Sequence, residues 1–150
     1  MVYCLLALVV VIIDQMTKYY VLEHFSLGES VPVIQNIFHW TFILNPGAAF
    51  GMLEGNRWLF IMIAFAVIVG IWFMRKEIVA NGVGTCVGTA LFAGGAVGNL
   101  IDRAVSGVVI DFFDFRIWPV FNVADIAICT GVGLIIWSIL KMELTVNKKN

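Results

Sequence analysis

Seven polar side chains stand within or at the ends of segments that are otherwise apolar, and their types could support chemistry. They are Asp14, Lys18, Asn99, Asp102, Arg103, Asn122 and Asp125. They form three groups along the chain, at 14–18, 99–103 and 122–125. Within each group the spacing is three or four residues, which places the side chains on one helix face. Because a charge at the centre of a bilayer costs at least about 2.5–3.5 kcal/mol, such residues usually face a protein interior. Their coincidence predicts a buried polar site.

Carboxylates are the reactive groups that these residues offer. His24 and His39 lie in a separate segment and are not arranged with a Cys or Ser, so a Ser–His or Cys–His nucleophile is unsupported. The sequence has no H-E-x-x-H zinc signature and no glycine-rich phosphate loop, and we expect no metal and no cofactor. Two neighbouring carboxylates cannot both ionise cheaply and therefore share a proton. One then activates a water while the protonated one polarises a carbonyl, as in aspartic proteases.

The elements that must position these groups are membrane helices. Of the 150 residues, 61% are hydrophobic and 13% are charged, and the mean hydropathy is +0.99, whereas soluble domains are usually about 25% charged. A bilayer core needs about 20 mostly apolar residues in a helix. We therefore predict an all-α membrane protein, a single polytopic domain over 1–150 with four transmembrane helices near 2–22, 57–75, 80–103 and 122–141.

The basic residues predict the orientation of these helices. Arg75 and Lys76 lie between the second and third helices, lysines follow the fourth, and the segment 23–56 has no Lys or Arg. By the positive-inside rule both termini are cytoplasmic, and the segments 23–56 and 104–121 are outside. The first outer segment predicts a small β-sheet from its β-branched and aromatic residues. The aromatic second one predicts an amphipathic outer loop, from which Asp111 reaches the depth of the seven polar residues.

Other interpretations of the polar residues stay open. Asp14 and Lys18 could simply neutralise each other so that the first helix inserts into the membrane. Asp102 and Arg103 could be membrane-interface residues at the end of the third helix. The two residues at the start of helix four could form a cap. The protein could also be a proton- or ion-coupled small membrane carrier, or a scaffold in which the charges only pair helices. The net charge of -1 offers no basic stripe to a nucleic acid, and we expect none as a partner.

Five short motifs follow one another along the chain. They are DQMTK at 14–18, NPGAAFG at 45–51, GGAVGNLIDR at 94–103, VIDF at 109–112 and FNVAD at 121–125. In this order, and over essentially the whole chain, they resemble the motifs of the bacterial lipoprotein signal peptidases, or signal peptidase II. Each motif alone is weak, but five in order on a chain of this length are specific.

This resemblance implies an intramembrane aspartyl endopeptidase that removes the signal peptide from diacylglyceryl-modified prolipoproteins, cutting just before the lipidated cysteine. It implies Asp111 and Asp125 as the catalytic pair, while Asp114 fits the family pattern less well. It implies substrate-binding or site-supporting roles for Asp14, Lys18, Asn45, Gly95, Asn99, Asp102, Arg103 and Asn122. The protein would lie in the bacterial cytoplasmic membrane with its active site near the outer face. Its partners would be prolipoproteins and membrane lipid, and we expect a monomer.

Overall fold

The computed structural model describes residues 2–47 and 53–147, which form five helices and a three-stranded sheet. In chain order these are α1 (Val2–His24), β1 (Ser30–Ile34), β2 (Phe38–Asn45), α2 (Arg57–Phe73), α3 (Arg75–Ala80), α4 (Val83–Val105), β3 (Val109–Asp114) and α5 (Val123–Asn147). The sheet lies where α1 and α4 end and α5 begins, and we call this the sheet end of the helix bundle.

Three of the described helices are long and apolar enough to cross a membrane: α1, α4 and the part of α5 over Val123–Leu144. The helix α2 is also apolar but has 17 residues. The prediction of a mostly helical membrane protein with a small sheet is therefore confirmed. Each of the four predicted helix ranges overlaps one of these helices, with ends that differ by up to six residues.

The boundary between the second and third predicted helices needs correction. The helix α2 ends at Phe73 rather than at residue 75, and the short helix α3 follows it. The chain then turns at Gly82, whose φ of 89° lies in the left-handed region that glycine adopts without a Cβ clash. For this reason α4 begins at Val83, three residues later than predicted.

The prediction of a loop over 104–121 is wrong for its central part, because Val109–Asp114 forms β3. Five of the six residues of this strand are buried in the protein. Val109 is 2% exposed on one face of the strand, and Phe112 is fully buried on the other face, where it packs in a cluster with Val21 of α1. A run of buried residues bounded by turns is what a central or covered strand requires. The aromatic composition alone did not distinguish this strand from an interfacial loop.

The predicted sheet is antiparallel, with β2 between β1 and β3. In the β2–β3 register Ile43 faces Asp111, and Asn45 faces Val109. A hydrophobic core made of Val21, Phe42, Ile110 and Phe112 fixes the sheet to the last turns of α1. This packing places the first residues of β3 beside the polar ends of the helices.

The helix α4 is the centre of the bundle. Half of the residues in its 18-residue apolar stretch are buried in the protein, against 22% for the corresponding stretch of α1 and 17% for that of α5. Its glycines let the neighbouring backbones approach closely. A Cβ on Gly94 would lie 2.7 Å from the Ala7 carbonyl oxygen, and a Cβ on Gly95 would collide with the Ala124 carbonyl oxygen. These close approaches bring α1 and α5 against the polar end of α4.

Candidate active site

A buried ion cluster joins α1 to α4. Lys18 Nζ lies 2.8 Å from Asp14 Oδ2 and 2.7 Å from Asp102 Oδ2. None of the three side chains is more than 4% exposed. The Gln15 amide donates to Asp102 Oδ1 at 2.9 Å. Buried charges are stable only when the remaining acceptor oxygens also find donors, and this cluster meets that condition.

The same cluster fixes the start of α5. The Ala124 backbone N–H donates to Asp14 Oδ1 at 2.9 Å. The first N–H groups of a helix lack partners within the helix, and their dipoles favour an anion. Gly98 makes room for the carboxylate, because a Cβ there would come within 2.5 Å of Asp14 Oδ2. Asp14 therefore holds α1, α4 and α5 together at one depth.

Asn99 connects the ion cluster to Asp125. Its Oδ1 accepts a hydrogen bond from Lys18 Nζ at 2.9 Å. An ammonium group can only donate, so Lys18 must face the amide oxygen and the amide nitrogen must point the other way. That nitrogen donates to Asp125 Oδ1 at 2.8 Å. The charge of Lys18 thus determines which side of Asn99 the Asp125 carboxylate meets.

Asn122 and Asp125 cap the first turn of α5 reciprocally. Asn122 Oδ1 accepts from the Asp125 N–H at 3.0 Å, and Asp125 Oδ2 accepts from the Asn122 N–H at 3.1 Å. This is the pattern of a capping box. The capping interpretation is therefore correct, but it uses only the oxygen of the Asn122 side chain. The Asn122 amide nitrogen is left to donate elsewhere.

The nitrogen of Asn122 donates to Asp111 Oδ1 at 2.7 Å. Asp111 lies on β3 and is 2% exposed. Its other oxygen, Oδ2, accepts from Asn45 Nδ2 at 2.9 Å. The Asn45 side chain is itself oriented by the Gly47 N–H, which donates to Asn45 Oδ1 at 3.0 Å. One asparagine, Asn122, therefore contacts both candidate catalytic carboxylates.

The acidity of Asp111 differs from that of an ordinary aspartate. Burial, and after it the negative charge of Asp125, raises the pKa of Asp111 to about 7. The donors on Asn45 and Asn122 and the charge of Lys18 oppose this rise. A carboxyl group with a pKa near neutrality can give and regain a proton at physiological pH, which general acid–base chemistry requires.

Arg103 lies on the same face of α4 and closes one side of the site. Its Nη2 donates to the Gly47 carbonyl oxygen at 2.9 Å. Its guanidinium carbon lies 4.6 Å from the centre of the Phe60 ring, a distance typical of a cation–π contact. Arg103 therefore holds the turn after β2 against α4 and α2, and its side chain lines the same cavity as Asp111 and Asp125.

A cavity of about 400 Å³ opens beside these residues, between α2, α4, α5 and the segment 118–121. Its polar wall contains Asn45, Asn99, Arg103, Asp111 and Asp125. Its other walls are apolar and include Phe60, Phe92, Ala96 and Ile128. A cavity with apolar walls and a few convergent polar groups is typical of a ligand site. In the part of the chain that the structure describes, no group of three or more His, Cys, Asp or Glu side chains could hold a metal ion.

Asp114, the alternative acid, lies on the opposite face of β3 from Asp111, because side chains three residues apart in a strand point to opposite faces. Its Oδ2 accepts from Thr41 at 2.8 Å and from Arg116 at 2.9 Å. Burial opposes ionisation, but the backbone and side-chain donors of Arg116 and Thr41 hold the pKa of Asp114 below its usual value. These contacts indicate a structural role in the sheet.

The structure brings the sequence-predicted polar residues into one hydrogen-bonded network. Its members are Asp14, Lys18, Asn45, Asn99, Asp102, Arg103, Asp111, Asn122 and Asp125. Gly95 adds no polar group and instead lets α5 approach α4. Sequence reasoning did not identify Gln15, which donates to both Asp102 and the Gly98 carbonyl oxygen. The signal that could have identified Gln15 is an amide side chain next to Asp14 in an otherwise apolar helix.

Comparisons with known proteins agree with this geometry. Residues 6–141 match the family model described as signal peptidase (SPase) II. The lipoprotein signal peptidase of Halothermothrix orenii is 45% identical over 93% of this chain and 95% of its own length, and that of Brevibacillus brevis is 45% identical over 89% and 91%. A solved structure described as a bacterial membrane enzyme superposes with a TM-score of 0.88 at 35% identity, covering 93% of this chain and 88% of the other. The chain belongs to the signal peptidase II family.

Proposed function

We propose that this protein is a membrane aspartyl endopeptidase that removes the signal peptide from diacylglyceryl-modified prolipoproteins, just before the lipidated cysteine, with Asp111 and Asp125 as its catalytic pair. Membership of the signal peptidase II family supports the reaction. The observation that carries the residue assignment is the double contact of Asn122, whose side-chain amide donates to the Asp111 carboxylate and whose backbone N–H donates to the Asp125 carboxylate. Both acids line a largely apolar cavity. The relatives named above give no support to the alternative of an ion-coupled carrier.

In this proposal Asp111 holds the shared proton and Asp125 is the base. Asp125 accepts from the Asn99 amide and from a backbone N–H, contacts that suit an ionised carboxylate. Asp125 takes a proton from a water, whose oxygen attacks the scissile carbonyl carbon. Asp111 gives its proton to the carbonyl oxygen. In the collapse of the tetrahedral intermediate, Asp125 returns a proton to the leaving amine nitrogen and Asp111 regains one from a hydroxyl.

The surrounding residues would bind the substrate and stabilise the pair. Asn45 donates to Asp111, and Arg103 stands beside the carboxylates with donors for a peptide or ester carbonyl. The apolar walls of the cavity suit acyl chains and the apolar side of a peptide. Asp14, Lys18 and Asp102 would act indirectly, by fixing the positions of the helices and the orientation of the Asn99 side chain.

We also propose that the chain is one polytopic domain with four membrane spans. The helix α2 has 17 residues, which is within the range of about 17–25 that can cross a bilayer. Arg57 at its start and Arg75 just after its end suit the two membrane surfaces. The positive-inside rule then places both termini in the cytoplasm and the active site near the outer face of the bacterial cytoplasmic membrane.

The test is cleavage of a diacylglyceryl-modified prolipoprotein by the purified protein, with Asp111→Asn and Asp125→Asn alongside. General acid–base groups contribute about 10²–10⁴-fold to rate, so the cleavage rate of each variant should fall by at least about 100-fold. Asp114→Asn is the matched control and should cleave within a few-fold of wild type, because Asp114 bonds to Thr41 and Arg116. Adding a chelator should change nothing in an aspartic mechanism. Wild-type rates in either Asp111→Asn or Asp125→Asn would show that the pair is misassigned.

A further inference from the structure

A second cavity, of about 330 Å³, lies at the end of the bundle away from the sheet, between α2, α3, α4 and α5. Val67 and Phe92 line both this cavity and the one that contains the carboxylates. The two cavities are therefore neighbouring parts of one groove along α4. A groove that continues from a peptidase site is positioned to hold the rest of the substrate.

The length of this groove fits the apolar segment of a signal peptide. Asn99 lines the first cavity and Thr85 the second. Between these two residues α4 rises about 21 Å, at roughly 1.5 Å per residue. Signal peptides carry a basic first region and then an apolar region of about 7–15 residues, which as a helix measures about 10–22 Å. When the cleavage point lies at the carboxylates, the basic region reaches the second cavity.

The chemistry of the second cavity fits that basic region. Glu77 is the one charged side chain among the described residues that line it. Asn81 stands next to it, and the buried Thr85 and Thr89 also line the cavity. The neighbouring cation Arg75 is directed elsewhere, because it donates to the Trp72 carbonyl oxygen at 2.8 Å and stacks on the Trp72 ring. A carboxylate beside amide and hydroxyl groups is a site for an ammonium or guanidinium group.

We propose that Glu77 binds the basic region of the signal peptide, so that the groove measures the distance between that region and the cleavage site. This inference rests on the proposed function and adds a specificity-determining residue far from the chemistry. The apolar middle of the signal peptide would lie along Val67, Gly70 and Phe92. The pairing of charge at one end with cleavage at the other selects substrates whose apolar region spans about 20 Å.

The test of the charge pairing is a substrate swap with purified, full-length protein. Two lipidated prolipoproteins are compared, one with lysines in the first region and one with glutamates at the same positions. With Glu77→Lys, the KM of the lysine substrate should rise about three- to tenfold, and the KM of the glutamate substrate should fall below its wild-type value. Both kcat values should stay near wild type, because Glu77 is far from the carboxylates. The matched control is Glu143→Lys, an exposed residue of α5.

The test of the groove itself uses two glycines. A Cβ on Gly70 meets no atom within 4 Å, and the same holds for Gly133 of α5. Gly70 lines the second cavity and its Cβ position is open, so the side chain of Gly70→Leu should occupy part of the groove and raise KM on the order of tenfold. Gly133→Leu makes the same change on α5 and should leave KM unchanged.

The outcomes separate the two proposals. Wild-type protein that cuts neither substrate overturns the proposed function and this inference with it. Wild-type cleavage with equal KM values for Glu77→Lys and Glu143→Lys overturns the inference while the function stands, and membrane lipid is then the better occupant of the second cavity. A KM increase in Glu77→Lys that the glutamate substrate does not reverse also overturns it.

Discussion

Asp14 and Asp111 are two equally buried aspartates with opposite neighbours. Asp14 is fully buried and Asp111 is 2% exposed. Asp14 pairs with the Lys18 ammonium at 2.8 Å and accepts a backbone N–H of α5. Among the described residues, the Asp111 side chain accepts from the amides of Asn45 and Asn122, and the nearby charge that most affects it is the anion Asp125. Burial alone therefore does not distinguish a structural carboxylate from a reactive one.

The difference between these two regions lies in the sign of the neighbouring charge. A neighbouring cation favours the ionised form of a buried carboxylate, whereas a neighbouring anion favours the protonated form. The region of Asp14, Lys18 and Asp102 is a set of fixed charges that holds three helices together. In the proposed mechanism, the region of Asp111 and Asp125 keeps a proton that can be exchanged, which agrees with the raised pKa of Asp111. Asn99 contacts both Lys18 and Asp125. Asn122 donates to Asn99 Oδ1 at 3.1 Å as well as to Asp111, so the ion cluster orients both carboxylates through these two amides.

The largest effect on stability is expected when the Lys18 cation is removed from the ion cluster. Lys18→Met leaves Asp14 and Asp102 buried without their partner. Breaking a buried ion pair by removing one member costs about 3–5 kcal/mol, and we expect a loss of that size in the free energy of unfolding. Thermal unfolding in detergent measures it. The matched control is Lys76→Met on α3, an exposed residue for which the expected change is within about 0.5 kcal/mol. Equal stability of the two variants would contradict the structural role of the ion cluster.

Asn122 tests the connection between the two regions. Asn122→Ala removes the donor to Asp111 Oδ1 and the acceptor for the Asp125 N–H. Hydrogen bonds to charged groups are worth about 1.5–3 kcal/mol, so kcat should fall about 10–100-fold. Loss of the helix cap should also lower stability by about 1 kcal/mol. A stopped-time cleavage assay gives the first quantity and thermal unfolding the second. If stability falls but kcat does not, Asn122 is a cap and nothing more.

The close packing of α4 against α5, which positions the polar residues on both helices, depends on Gly95. A Cβ there collides with the Ala124 carbonyl oxygen, so Gly95→Ala should separate α4 from α5. Forcing extra atoms into a packed interface costs about 1–3 kcal/mol. Gly133→Ala is the control and should stabilise the helix slightly, since nothing lies within 4 Å of its Cβ and alanine favours helix over glycine. Thermal unfolding of both variants checks the prediction, and a stable Gly95→Ala protein would contradict it.

Much of the site could be predicted from the sequence because spacing determines helix faces. The separations of Asp14 from Lys18 and of Asn99 from Asp102 place each pair on one face, and an apolar surrounding requires that face to turn inward. Spacing could not show which side chains of different helices meet. That Lys18 contacts Asp102 as well as Asp14 depends on the glycine-mediated approach of α4 to α1.

The strand β3 shows the other limit of the sequence. Val109–Asp114 is rich in apolar and aromatic residues, which suit a membrane interface and a covered strand equally well. Only the strand alternation separates Asp111, which lines the cavity, from Asp114, which bonds to Thr41 and Arg116. Without the sheet register, the two aspartates could be ranked only by the resemblance of their flanking residues to a known family.

The most direct test of the central claim is the titration of Asp111 by difference infrared spectroscopy, with its carboxyl signal identified by its absence in Asp111→Asn. In wild type the pKa should be about 7, because burial and the charge of Asp125 favour the protonated form. In Asp125→Asn that negative charge is gone and the pKa of Asp111 should fall, while in Asp114→Asn it should stay where it is. A pKa of Asp111 near 4 in wild type, or one that Asp125→Asn leaves unchanged, would contradict the account.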